Sequence, residues 1–107
     1  LFSGKKQEAL NFLKRALLID SSDFQSWANY GVTLQDMGVS NAARTSYEKA
    51  ICLNAGVPLL YFNLGVCIAS LESPVAAVMS YKRAAHLDPV DSLTQTNFGN
   101  SLKLANM

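Results

Sequence analysis

Three asparagines, Asn29, Asn63 and Asn97, recur at a constant step of 34 residues. A carboxamide both donates and accepts, so a column of them can pair with the N–H and C=O of a peptide without reading its side chains. Little else in the chain has the residue types for chemistry. His86 is the only histidine and lies late in a helical pattern, as a packing or surface residue. Cys52 and Cys67 have neither C-x-x-C spacing nor a nearby histidine to complete a zinc site. Each falls in a helical pattern, where a buried free thiol behaves as a small hydrophobe, and free thiols fit a reducing compartment. No Ser/His/Asp set, carboxylate pair of defined spacing or Gly-rich phosphate loop is present. The chain therefore reads as non-enzymatic, with no cofactor and no metal.

Composition narrows the partners. Of the 107 residues 50% are hydrophobic and 16% charged. A soluble domain usually carries about 25% charged residues, so some apolar surface is expected to be covered by a partner or by more of the same chain. The formal net charge of +1 lacks the clustered cations of a nucleic-acid interface. Lys5-Lys6 and Lys14-Arg15 read as solvated helix faces. No apolar run approaches the roughly 20 residues of a membrane span, and no signal peptide opens the chain. These features point to an intracellular, cytoplasmic protein. The absence of an initial Met, and a last residue inside a helical pattern, suggest a piece of something longer.

The asparagines belong to a wider repeat. Gly31, Gly65 and Gly99 share the step, with Tyr30, Leu64 and Phe98 before them and Leu34, Ile68 and Leu102 after. Ala9, Ala43 and Ala77 keep it too, as do Leu13, Tyr47 and Tyr81, then Ala16, Ala50 and Ala84. Apolar periodicity predicts helices over 5–19, 24–37, 40–53, 58–71, 74–87 and 92–105. Gly38 is suited to the left-handed conformation that ends a helix, and Ser40 to capping the next. Ser73 followed by Pro74 reads as an N-cap and a first helical residue. Asp20 to Asp23, Asn54 to Pro58 and Asp88-Pro89 separate the units. A glycine inside a helix costs about 1 kcal/mol against alanine, so the glycine column must allow a neighbouring helix to approach closely.

These columns resemble the tetratricopeptide repeat, whose pattern runs aromatic, Leu-Gly, aliphatic, Ala, aromatic, Ala, Pro. One full unit shows Trp27, Tyr30-Gly31, Leu34, Ala43, Tyr47 and Ala50, with Ala55 in place of the proline. The next shows Tyr61, Leu64-Gly65, Ile68, Ala77, Tyr81, Ala84 and Pro89. Residues 1–107 then form one domain: 5–23 is the second half of a repeat, 24–57 and 58–91 are full repeats, and 92–107 is the first half of another. Leu13 and Gln95 depart from the aromatic positions of the flanking half-units. The resemblance implies an all-α fold, a right-handed α-α superhelix of antiparallel helix-turn-helix repeats. Pentatricopeptide repeats, which read RNA, have a 35-residue period and lack these Leu-Gly and Ala columns.

The family's inner groove is built by first-helix residues that face away from the second helix. By resemblance these are Gln25, Ala28, Asn29, Val32 and Asp36, then Leu59, Phe62, Asn63, Val66 and Ser70, then Leu93, Thr96, Asn97, Asn100 and Leu104. The asparagine column is similar to the ladder in superhelical repeats such as the arm of O-linked N-acetylglucosamine transferase. Leu59, Phe62 and Val66 would add an apolar patch, unless Phe62 folds back into the hairpin seam. The clamp that grips chaperone C-terminal tails needs Lys and Arg where Ala28, Val32, Leu93 and Asn97 stand. The expected function is a protein-interaction module that takes an extended or short helical peptide in its groove. The alternative is the targeting arm of a larger enzyme, such as a glycosyltransferase of that kind. The last helix, without a following helix to cover Phe98 and Leu102, is expected to self-associate through 92–105.

Overall fold

The computed structural model describes residues 2–106. Among these residues there are six helices and no strand: α1 (Phe2–Ile19), α2 (Phe24–Asp36), α3 (Ser40–Leu53), α4 (Pro58–Leu71), α5 (Val78–Leu87) and α6 (Ser92–Ala105). They form two compact units, α1 to α3 through Ala55 and α4 to α6 from Gly56.

Local chemistry sets the helix ends. Before α2, the Asp23 carboxylate accepts from the Gln25 N–H at 3.1 Å and the Ser26 hydroxyl at 2.8 Å. This satisfies donors that a helix start leaves free. Asp20 accepts from both the hydroxyl and the N–H of Ser22, and these bonds hold its carboxyl below the ordinary carboxylate value. At the other end of α2, Gly38 has φ of 80°. The Val39 N–H then reaches Leu34 O at 2.8 Å and the Gly38 N–H reaches Gln35 O at 3.0 Å, a paired closure that needs the left-handed residue. Asp91 caps α6 through the N–H and hydroxyl of Thr94.

Two predicted helix starts differ. Ser40 does not cap α3; Val39 occupies the N-cap without a side-chain bond, and its carbonyl already accepts from Ala43 N–H at 3.1 Å. Gly38 turns the chain so sharply that the helix ladder starts one residue before the serine. The helix expected from residue 74 becomes α-helical only at Val78. Ser73 does cap this segment, accepting from Ala76 N–H at 3.1 Å. The bonds from Ala77 to Pro74 and from Val78 to Val75 span three residues, so the first turn is wound more tightly than an α-helix.

Within the first unit α2 packs against both α1 and α3. Its core is Leu10, Leu34, Ala43, Tyr47 and Ala50, with Tyr47 0% exposed. A Cβ at Gly31 would lie 2.7 Å from Tyr47 Cε1, so the glycine is what lets this ring lie flat on α2. The Tyr47 hydroxyl donates to Gln35 Oε1 at 2.7 Å and so carries no unmet donor into the core. Trp27 is half-buried; its indole N–H donates to Ser21 O at 2.8 Å, and Lys49 Nζ stands 5.6 Å from the ring centroid. Ala9 of α1 is exposed although Ala43 and Ala77 in its column are fully buried, because no first helix among the described residues lies against it.

In the second unit the central helix is α5, which corresponds to α3 and packs against both α4 and α6. Leu60, Leu64, Cys67, Ile68, Ala77, Tyr81, Ala84 and Ala85 form its core. Gly65 accommodates Tyr81 as Gly31 does Tyr47; a Cβ there would stand 2.6 Å from Tyr81 Cε1. Gly99, in the same column on α6, has nothing within 4 Å of an added Cβ. The two cysteines part company: Cys67 is buried as expected, whereas Cys52 is exposed near the end of α3 and packs in no core.

Candidate peptide-binding site

On the second unit some of the residues expected to bind a partner line a cavity of about 280 Å³. Helix α4 contributes Val66 and Ala69, α5 contributes Tyr81, and α6 contributes Asn97, Asn100 and Leu104. Four of these, Val66, Asn97, Asn100 and Leu104, are groove residues expected from the sequence. They converge because α5 holds α4 and α6 on either side of itself, and an i to i+3 step puts Asn97 and Asn100 on one face of α6. Among the described residues no hydrogen bond engages the carboxamides of Asn63, Asn97 or Asn100, so their donors and acceptors are available to a ligand.

Ionised side chains do not line this cavity. Its walls are apolar, and its polar groups are amides and hydroxyls, including Ser101. Such a surface suits a neutral segment with an apolar or amide-bearing side chain. Burial, and secondarily the nearby Cys67, push the Tyr81 phenol above its ordinary value, which keeps it protonated and able to donate.

The remaining expected residues lie elsewhere. Asn63 is half-buried and Leu59 is 61% exposed, both on α4 but outside the cavity lining. Phe62 is half-buried with its ring centroid 6.0 Å from that of Tyr81, tilted 46°, so it leans on the α4–α5 seam. On the first unit Gln25 and Asn29 are exposed on α2. Sequence reasoning assigned Tyr81 to packing alone and passed over Ala69. Comparing the columns would have exposed the difference, since the repeat position of Ala69 is held by Gln35 in the preceding unit.

Among the described residues no group of three or more His, Cys, Asp or Glu side chains is placed to hold a metal ion. Nor, among them, is any helix long and apolar enough to cross a membrane.

Residues 24–56 match the family model described as tetratricopeptide repeat. With the glycine–tyrosine packing in both units and the solved structures below, this gives the chain the all-α fold of tetratricopeptide repeats. The chain is 35% identical over 99 residues to the BBSome complex member BBS4 of Xenopus tropicalis. It is 30% identical over 96 residues to the same protein of Bos taurus. These matches take in 91% and 90% of this chain but only 19% and 18% of the relatives, so the chain spans about a fifth of their length. The first tetratricopeptide domain of Spaghetti (RPAP3), solved with the HSP90 peptide SRMEEVD, superposes with a TM-score of 0.90 at 17% identity, over 98% of this chain and 83% of that one. YrrB, described as having an unusual peptide-binding site, superposes with a TM-score of 0.84 at 27% identity, over 94% of this chain and 52% of that one.

Proposed function

We propose that this chain is a peptide-binding interaction module whose first-helix face holds an extended or short helical segment of a partner protein. The single observation that carries the reading is the cavity that joins Val66 to Asn97 and Asn100, amide-rimmed and uncharged. Asn97 and Asn100 pair with the backbone of the segment, while Asn63 and Phe62 continue the contact along α4 and Leu59 adds apolar surface at its start. Gln25 and Asn29 offer amides at the corresponding helix of the first unit. YrrB lends support as a peptide-binding protein of the same fold. A place in a multi-protein assembly accords with the relatives, which are named as members of a complex. Neither is named as a glycosyltransferase, and no observation favours that alternative.

The peptide in the Spaghetti structure has the sequence SRMEEVD. This chain has Ala28, Val32, Leu93 and Asn97 at the positions where a clamp for such an acidic tail needs cations. Its segment is therefore neutral where it meets the face. The test is affinity capture with the chain, synthesis of the captured segment as a peptide, and titration against the chain carrying Asn63→Ala and Asn97→Ala. Losing two amide contacts at about 1 kcal/mol each weakens binding roughly thirtyfold. Unchanged affinity, or binding of SRMEEVD as tight as that of the captured segment, would sink the reading.

A further inference from the structure

We propose that the cavity between α4, α5 and α6 is a subsite for a glutamine side chain of the bound segment, an inference that rests on the groove reading above. The first unit supplies the template. There Tyr47 lies on Gly31 and its hydroxyl donates to the Gln35 carboxamide at 2.7 Å. The second unit keeps the tyrosine, Tyr81, on the glycine, Gly65, but the glutamine position is occupied by Ala69. The methylenes and the carboxamide that fill this space beside Tyr47 are missing beside Tyr81. At this place lies a cavity of about 280 Å³, larger than the missing group, that both Ala69 and Tyr81 line. Liquid water occupies about 30 Å³ per molecule, so the space takes a side chain and not merely one water.

The state of the Tyr81 hydroxyl agrees with this. Among the described residues none hydrogen-bonds to it, yet no buried side-chain polar atom lacks a partner. The oxygen is thus not sealed in the core; it opens to the cavity. A carboxamide arriving from the groove meets this hydroxyl as Gln35 meets Tyr47. Val66 and Leu104 flank its methylenes, and Asn97 and Asn100 at the rim take its other amide group or the adjoining backbone.

Charge and hydrogen bonding select among side chains. Glutamate has the same reach, but its carboxylate would be desolvated with no cation in the lining to meet it. Leucine, methionine or norleucine fills the volume yet covers the Tyr81 hydroxyl without bonding it. A polar group left unpaired in this way is what gives a site its preference for the polar ligand.

The probe is N-acetylglutamine methylamide, titrated into the isotopically labelled chain while the Tyr81 and Asn97 resonances are followed by NMR. The glutamate and norleucine counterparts are titrated alongside. The glutamine compound should give saturable shifts at both residues, with an affinity at least about threefold above either counterpart, as expected for one net hydrogen bond. Ala69→Gln should occupy the Tyr81 end of the cavity from within, abolish the response and raise the melting temperature. No saturable shift, an equal response to all three compounds, or an Ala69→Gln chain that still binds or melts lower would overturn the subsite. The captured segment separates this result from the groove reading. If Asn63→Ala with Asn97→Ala weakens its binding and Ala69→Gln does not, the groove stands and the glutamine subsite falls.

Discussion

Alanine at Gly65 and alanine at Gly99 should move stability in opposite directions, although both replace the same repeat residue in the middle of a helix. An added Cβ at Gly65 stands 2.6 Å from Tyr81 Cε1, 2.7 Å from Cδ1 and 3.1 Å from Cζ. Carbon atoms in contact prefer about 3.5–4.0 Å, so the ring or the helix must shift by close to an ångström. Tyr81 is only 4% exposed and Phe62 packs against it, which leaves the ring little room to retreat. Overpacking of this kind costs about 1–3 kcal/mol, and alanine's helix preference over glycine returns up to about 1 kcal/mol. Contacts as short as 2.6 Å put the cost in the upper part of that range, so Gly65→Ala should lose about 1–2 kcal/mol. At Gly99 nothing lies within 4 Å of the new methyl group, so only the helix preference remains and the chain gains about 0.5–1 kcal/mol. At about 4–8 °C per kcal/mol for a chain near this size, the two variants should melt at least about 6 °C apart, with wild type between them. Circular dichroism melts and urea titrations measure both. Gly31→Ala, whose Cβ would meet Tyr47 at 2.7 Å, should behave like Gly65→Ala. A Gly65→Ala chain as stable as wild type, or a Gly99→Ala chain less stable than it, would refute the view that the glycine column exists to seat tyrosine rings.

Two further outcomes follow from the same packing. The folded chain keeps the Tyr81 proton to higher pH than the unfolded chain does, so its contribution to stability is complete below the ordinary tyrosine value of about 10 and is lost as pH rises through the raised folded value. Urea midpoints taken across alkaline pH should fall more steeply for wild type than for Tyr81→Phe, and parallel curves would contradict this. The Gly99 face of α6 is open, and Ala9 and Phe12 of α1 are exposed, Phe12 by 72%; by the repeat pattern α6 is a first helix and α1 a second helix, so the two faces should fit one another. Copies should join α6 to α1 as concentration rises. Gly99→Glu and Phe12→Glu, both at open positions, should each stay monomeric, while their mixture forms pairs that grow no further. Light scattering tests this, and a wild-type chain that is monomeric at every concentration would rule it out.

Periodicity alone determined the repeat and most of the architecture. A glycine in mid-helix is costly, so a glycine column paired with a tyrosine column had to mean close helix contact, and Gly31–Tyr47 and Gly65–Tyr81 are those contacts. The left-handed Gly38 and the cap at Ser73 were legible because they depend on residues adjacent in sequence. Where neighbouring turns compete, local signals decided less. Ser40 lost the cap position to Val39, and the turn after Pro74 tightened before α5 could form. The asparagine positions were readable as a column, but which of them share a site depends on how three helices converge. Tertiary packing brought Asn97 and Asn100 of α6 to Val66 of α4 over Tyr81. It also gave meaning to an unremarkable alanine. A column shows that Ala69 replaces a glutamine, but only the packed structure shows that this alanine and Tyr81 line one cavity, because the worth of a side chain lies in the volume and hydrogen bonds it shares with residues distant in sequence.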